Sequence, residues 1–291
     1  MSVHATPPFP PSPPPRWAEA FPSVDPRRTA RTVHHLDCAS LCPPGSAPLV
    51  GHCLLVEAGS GLVLVDTGLG AADVSDPSRL GRLFRATMRP RLDLSRTAVH
   101  QIRNLGYNPR DVRDIVVTHL DLDHAGGLAD FPEARVHVMA DEYRAAMRRE
   151  SRLEAGRYVP VHWEHGPQWV IHDTADSDWL GFRASRVLKA PDILLVPLPG
   201  HTRGHCGVAV QQPDRWLLHA GDAYFFHGEV DLRRPRCPRP TALHQRLVAV
   251  DHESRLTQLE RLRELRRAQP RLVRMFSSHD AYEFSRLTGT G

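Results

Sequence analysis

The sequence predicts an α/β (α+β) fold in which two sheet-and-helix halves pack face to face in four layers. Two observations lead there. The order hairpin, helix, strand occurs twice along the chain. The histidines and aspartates able to do chemistry fall just after predicted strands, on loops that a rigid scaffold holds in place. The length of 291 residues allows one large domain or two small ones, and 41% hydrophobic residues suffice for a sizeable core.

Residues 1–25 are proline-rich and read as a disordered or extended arm, because clustered prolines favour polyproline geometry. Apolar runs at Cys53–Glu57 and Leu62–Asp66, joined by Ala58-Gly59-Ser60-Gly61, form the first hairpin. Residues 69–94 read as loop with a short helical piece. Apolar spacing at Ala98, Ile102 and Leu105, with Gly106 beyond, predicts a helix over Ser95–Leu105. Asn108-Pro109 starts another short helix in the usual cap order. Ile115–Thr118 is a buried strand, residues 135–139 another, and Asp141–Glu150 a helix. Residues 151–190, with Trp163, Trp169 and Trp179, read as an insertion or lid. Ile193–Pro197 is a strand, and Cys206–Val210 with Trp216–His219 forms the second hairpin. Residues 227–245 read as loop. Ser254–Ala268 is a helix with Leu256, Leu259, Leu262 and Leu265 on one side, stopped by Pro270. Val273–Phe276 is the last strand.

Composition narrows the function classes. The net charge is +4, and the basic residues, all arginine except Lys189, are interleaved with acids, as in Arg261-Leu262-Arg263-Glu264. No basic stripe marks a nucleic-acid partner. No apolar run approaches a membrane span, and the first sixteen residues lack the apolar stretch of an export signal. A cytoplasmic protein is expected, with no nucleic-acid or membrane partner. The five cysteines lack paired spacing and read as free thiols. The oligomeric state is not legible.

Thr118-His119-Leu120-Asp121-Leu122-Asp123-His124-Ala125-Gly126-Gly127 carries the strongest chemical signal. Two imidazoles and two carboxylates within six positions sit badly in an apolar core unless a cation neutralises them. Imidazole and carboxylate donors suit zinc, iron or manganese. His119 and Asp121 can face one ion from a sharp turn, and Asp123 and His124 a second. Pro199-Gly200-His201-Thr202-Arg203-Gly204-His205, Gly221-Asp222 and Ser278-His279 follow in order at the ends of predicted strands.

With Asp66-Thr67-Gly68, this set resembles the metallo-β-lactamase-fold hydrolase superfamily, over about His52 to His279. The resemblance implies a four-layer αββα sandwich, with residues 26–291 as a single catalytic domain. It implies two divalent metal ions: His119, Asp121 and His201 hold the first, Asp123, His124 and His279 the second, and Asp222 bridges them. Asp66 and His205 are expected to support the site rather than bind metal. Within the superfamily, HLDLDHAGGL is most similar to the acyl-homoserine lactonases, which commonly place a tyrosine three residues after the bridging aspartate. Phe225 stands there in this chain, and Tyr224 one residue earlier. Both are candidate substrate contacts, with Phe226 and Trp163 as further walls of an acyl pocket. His34 and His35, beside the Cys38–Pro44 loop, are candidate pocket residues.

One departure from the superfamily's pattern is Asp121, where a second histidine is usual. Three aspartates and a bridging hydroxide would bring two divalent ions to about zero net charge, one unit less positive than usual. Oxygen donors also favour harder ions. The expectation is therefore zinc, with manganese or iron plausible. Asp121 either binds directly or accepts a hydrogen bond behind the ligands. The implied activity is hydrolysis of a small-molecule ester or lactone, an N-acyl-homoserine lactone among them. A hydroxide between ions about 3.5–4 Å apart would attack the carbonyl, and Asp123 would orient it and pass a proton to the leaving alkoxide. The alternatives are a glyoxalase-II-like thioesterase, a metal-dependent oxidoreductase (diiron or persulfide dioxygenase-like), and an inactive metal-binding scaffold.

Overall fold

Strict alternation of burial partners builds both sheets. In β2 (His52–Ala58), Cys53 and Leu55 pack to one side, while Leu54 and Val56 pack to the other. Its hairpin partner β3 (Gly61–Val65) repeats this with Leu62 and Leu64 against Val63 and Val65. A strand buried on both faces needs apolar residues at every position, which is why these runs are nearly continuous. The computed structural model describes residue 30, residues 32–173 and residues 175–289. The arm expected over residues 1–25 lies outside them.

The first six-stranded sheet runs in order through β1 (Val33–Asp37), β2, β3, β4 (Val112–Val116), β5 (Arg135–Met139) and β6 (Gln168–His172). The second contains β7 (Ser177–Trp179), β8 (Phe182–Lys189), β9 (Asp192–Pro197), β10 (Cys206–Gln211), β11 (Trp216–His219) and β12 (Val273–Phe276), also adjacent in sequence order. The chain therefore completes one sheet before starting the other. Leu54, Val56, Val63 and Val65 meet Ile193, Leu195, Val208 and Val210 in the core between the sheets. Outside the first sheet, a core (the first core) takes in Val99 and Ile102 of α3 (Ala98–Asn104) and Ala145 and Ala146 of α5 (Ala140–Arg148); α1 (Ala71–Ser75) and α2 (Arg82–Met88) precede α3, and the single turn α4 (Leu122–Ala125) lies between α3 and α5. Outside the second sheet, a second core takes in α8 (His252–Ala268) through Leu259, Leu262 and Leu265. These are the four layers expected.

Three expectations need correction. Residues 151–190 are framework rather than lid: they supply α6 (Arg152–Arg157), the edge strand β6, and the β7–β8 hairpin whose Trp179 and Phe182 lie in the second core. Residues 227–245 contain the start of a helix, α7 (Arg239–Val248), where Pro240 sits in the first turn and needs no N–H partner. On α8, Leu256 is 44% exposed. Steps of three residues fall short of a full turn, so the leucine row rotates off the core by its N-terminal end. Asp251 accepts from Ser254 N at 2.9 Å and starts this helix ahead of the predicted position. All five cysteines are free thiols, as expected, and no helix among the described residues is long and apolar enough to cross a membrane.

The last helix, α9 (Ala281–Thr288), is capped by Asp280, which accepts from Glu283 N at 2.8 Å. Glu283 accepts from Ser277 N and from the Tyr224 hydroxyl, and burial, with Asp280 nearby, pushes its carboxyl up to about 8. A folded pKa above the unfolded value of about 4.3 means that stability is fully present below that value and is lost as pH rises toward 8. Glu283→Gln removes the titration. Its melting temperature is expected to rise relative to the parent between pH 5 and pH 8, by the equivalent of a few kcal/mol at most. Thermal melts at pH 5 and pH 8.5 check this, and a constant difference between the two proteins would contradict it.

Candidate metal centre

The ends of five strands point at one rim. The loop after β4 delivers His119 to His124, the loop after β9 delivers His201 and His205, and the turn after β11 delivers Asp222. His279 follows β12, and Asp66 follows β3. Asp66 adopts a φ of 55° and Gly221 a φ of 56°, so both turns double back sharply. A Cβ on Gly221 would lie 2.4 Å from His205 Nε2, so only glycine lets the turn approach that ring.

Three donor groups converge here: His119, Asp121 and His201; His119, His124 and Asp222; and Asp123, His124 and His279. In each, the candidate ligand atoms lie within 4.8 Å of one another. Asp222 sits at the centre. Its Oδ2 is 3.2 Å from His279 Nε2, 3.4 Å from His201 Nε2 and 3.8 Å from His119 Nε2, while Oδ1 is 3.4 Å from His124 Nε2. Asp121 Oδ2 lies 3.1 Å from His201 Nε2 and 3.5 Å from His119 Nε2. Asp123 Oδ2 lies 3.7 Å from His279 Nε2. All seven predicted ligands are brought together.

The far side of three of the four rings is anchored, which frees Nε2 for the centre. His124 Nδ1 pairs with Asp66 Oδ2 at 2.9 Å, His119 Nδ1 with Thr118 Oγ1 at 2.9 Å, and His279 Nδ1 with the Val50 carbonyl at 2.8 Å. Fixing one ring nitrogen sets the orientation and tautomer of the other. Asp66 also accepts from Thr118 N and Oγ1, so it ties β3 to the ligand loop. His205 donates to the Leu198 carbonyl and accepts from Asp222 N, which holds the Asp222 turn in place. Behind these loops, the buried Glu142 of α5 accepts from Leu120 N at 2.9 Å, Tyr158 Oη at 3.0 Å, Thr202 Oγ1 at 2.6 Å and Gly204 N at 3.2 Å.

Electrostatics and donor chemistry fit cations. Burial alone would push Asp222 up, but the imidazoles of His279, His124 and His201 hold it well below the usual carboxylate range. Burial likewise opposes charge on His124, yet Asp222, Asp123 and Asp66 raise it to about 10. Protons thus do part of the neutralising that bound ions would do. His119 Nε2, Asp121 Oδ1 and Asp222 Oδ1 are buried without any hydrogen-bond partner. Orphaned polar atoms of this kind are costly unless a ligand engages them. The residues present fit divalent ions.

Sequence reasoning missed two neighbours. Arg157, the last residue of α6, puts Nη1 2.8 Å from Asp121 Oδ2 and 3.0 Å from His201 Nε2, and its Nη2 donates to the Val248 carbonyl. Burial and Arg157 together lower His201 to about 4. His244 of α7 stands with its ring 5.7 Å from Phe225. Neither residue lies in a motif, so no sequence signal marks them. The substrate candidates divide. Phe225 is nearly buried, with its ring 4.8 Å from His279 and 6.1 Å from His201. Tyr224 is fully buried in the second core with its hydroxyl on Glu283, so the substrate role expected of it gives way to packing. Trp163 packs on the first core and Phe226 on His227. His34 pairs with Glu57 and Tyr107, and His35 with His52, on β1 rather than at the rim.

Two layered sheets with this donor cluster at their shared rim define a metallo-hydrolase. The family model for the metallo-beta-lactamase superfamily matches residues 47–268, and the chain belongs to that superfamily. A probable metallo-hydrolase of Mycobacterium tuberculosis is 44% identical over 250 residues, covering 85% of this chain and 76% of the relative. An N-acyl homoserine lactonase of Bacillus thuringiensis is 25% identical over 236 residues, covering 78% of this chain and 80% of its own. Among solved structures, an N-acyl homoserine lactone hydrolase with its product N-hexanoyl-L-homoserine at the catalytic metal centre superposes with a TM-score of 0.68 at 22% identity. That match covers 88% of this chain and 95% of the other. A dizinc quorum-quenching lactonase gives 0.52 at 18% identity, covering 81% and 74%.

Proposed function

We propose that this chain uses two divalent ions to hydrolyse a small ester or lactone, with N-acyl-homoserine lactones as the leading substrate class. The observation that carries the reading is the central position of Asp222, whose two oxygens face four imidazoles drawn from the three donor groups. His119, Asp121 and His201 would hold one ion, Asp123, His124 and His279 the other, with Asp222 shared. Bound ions of this kind supply Lewis acidity toward a carbonyl and make water a nucleophile near neutral pH. Carboxylate oxygens on both positions make manganese and iron plausible beside zinc.

The remaining work falls to the protein. Asp123 is the carboxylate placed to take a proton from the attacking water and deliver it to the leaving alkoxide. Its side chain keeps 11% exposure, so substrate can reach it. Phe225 closes one wall over His201 and His279. On α7, the helix that carries His244 against Phe225, Leu243 and Leu247 are 58% and 67% exposed and one turn apart on one stripe. An exposed apolar stripe of this kind suits an acyl chain. The 25% identity to an N-acyl homoserine lactonase over most of both chains supports the lactone reading. Asp123→Ala is expected to keep its circular-dichroism spectrum and lose about 100-fold or more in turnover of a lactone or aryl ester. Full activity would refute the role of Asp123. A panel of lactones, thioesters and aryl esters separates lactonase from thioesterase, and oxygen uptake by iron-loaded protein would point to an oxidoreductase instead.

A further inference from the structure

The first ion position is unusual in already holding a cation that belongs to the chain. The guanidinium of Arg157 is almost fully enclosed, its side chain 6% exposed, and Nη1 lies within hydrogen-bond distance of two of the three donors there, Asp121 Oδ2 and His201 Nε2. His201 Nε2 has one lone pair in the ring plane. Nη1 can only donate, so its hydrogen bond uses that lone pair on Nε2, and an ion would need the same one. Asp121 differs, because a carboxylate has lone pairs to spare and its Oδ1 is free of partners. Arg157 can therefore keep Asp121 while an ion binds, but it must release His201. Among the described residues, the hydrogen bonds and ion pairs of the second position, formed by Asp123, His124 and His279, include no guanidinium.

The arginine is held in place from several sides. Ser151 caps α6, with Glu154 returning to Ser151 N, so the short helix is fixed at its start. The Val248 carbonyl fixes Nη2. A cation at a helix C-terminus is also favoured by the helix dipole. One guanidinium nitrogen, Nε, is buried without a partner, a penalty that the ion pair with Asp121 offsets. The charge sum changes accordingly. Asp121 in place of a neutral imidazole subtracts one unit from the centre, and Arg157 restores it.

We propose that Arg157 is the resident counter-cation of Asp121 and competes with the first metal ion for His201, so that the two positions fill in order, the Asp123–His124–His279 position first. This rests on the two-ion reading above. It makes the aspartate and the arginine one unit: Asp121 is tolerable as a ligand because Arg157 accompanies it, and neither residue acts as it would alone. Arg157 is thus a positioning residue, acting through Asp121 and His201.

The test is metal binding by full-length protein stripped with a chelator. Zinc and, separately, manganese are titrated back against a chromophoric competitor, and folding is checked by circular dichroism. The parent should bind two ions in two unequal steps. Arg157→Leu should tighten the weaker step by at least about ten-fold, as expected when one unit charge within ~4 Å is removed from a partly screened site, and leave the stronger step nearly unchanged. Asp121→His should weaken that step, because it leaves Arg157 without its anion beside the ion. The double variant Asp121→His/Arg157→Leu should return toward the parent, a non-additivity that a purely architectural arginine would not produce. If Arg157→Leu does not fold, Arg157→Gln is read in its place. Two equal steps in the parent, or a weaker step that is unchanged or loosened in the arginine variant, would overturn this inference and leave the hydrolase reading intact. A parent that binds no ion would overturn both.

Discussion

Asp222→Ala is expected to abolish the centre while sparing the fold. Its carboxylate faces His119, His124, His201 and His279 together, at 3.2 to 3.8 Å. Its backbone N–H stays bonded to His205, so the turn itself is retained. Removing groups that merely support a ligand lowers metal affinity about 10–100-fold. Loss of a ligand shared by both positions should exceed that, leaving less than one ion per chain after dialysis and no measurable turnover. Elemental analysis of the dialysed protein gives the answer. Two retained ions would show that the shared position is not where the ions are held. The four imidazoles also lose the carboxylate that raises His124 and His279, so both are expected to titrate lower in the stripped variant.

Glu142→Leu is expected to have the largest effect on stability. Glu142 is completely buried, and its two oxygens accept from two backbone N–H groups and two hydroxyls. Leu120 and Thr202 lie in the two ligand loops, so one carboxylate fastens both. Leaving these donors unpartnered in the interior should cost about 3–5 kcal/mol. Gly204 packs directly on Glu142, where a Cβ would lie 2.0 Å from Glu142 N, so the loop is fitted closely to this residue. Urea unfolding followed by fluorescence measures the loss. Glu142→Gln keeps an acceptor for two of the donors and should lose less. A leucine variant within about 1 kcal/mol of the parent would show that water replaces the carboxylate at no great cost.

The site was more legible than the frame around it. Metal ligation needs particular donors at particular intervals, and His119-Leu120-Asp121-Leu122-Asp123-His124 carries them in one stretch. Doubly buried strands such as β3 and β9 are equally plain, because both of their faces demand apolar residues. The edge strand β1, Val33-His34-His35-Leu36-Asp37, shows little apolar pattern because one flank is unpaired and its histidines bond to side-chain partners. α7 was hidden by its prolines, which read as breakers until their place in the first turn is known. Tyr224 looked like a pocket residue because it follows Asp222 closely, but neighbouring residues in a turn point to opposite sides, and Phe225 faces the rim. Arg157 is one arginine among many, and only the three-dimensional arrangement brings it to Asp121.

The order in which the chain lays down its sheets has a consequence for how the molecule comes apart. Among the described strands, those through β6 belong to one sheet and those from β7 through β12 to the other, so the chain passes between the sheets once, after His172 and before Ser177. Each of the three donor groups takes members from both sides of that passage. A nick there would yield two fragments, each with an entire sheet and neither with an entire ion pocket. Reassembly of the fragments would then be tied to metal by mass action, and chelation would act as a solvent for the seam.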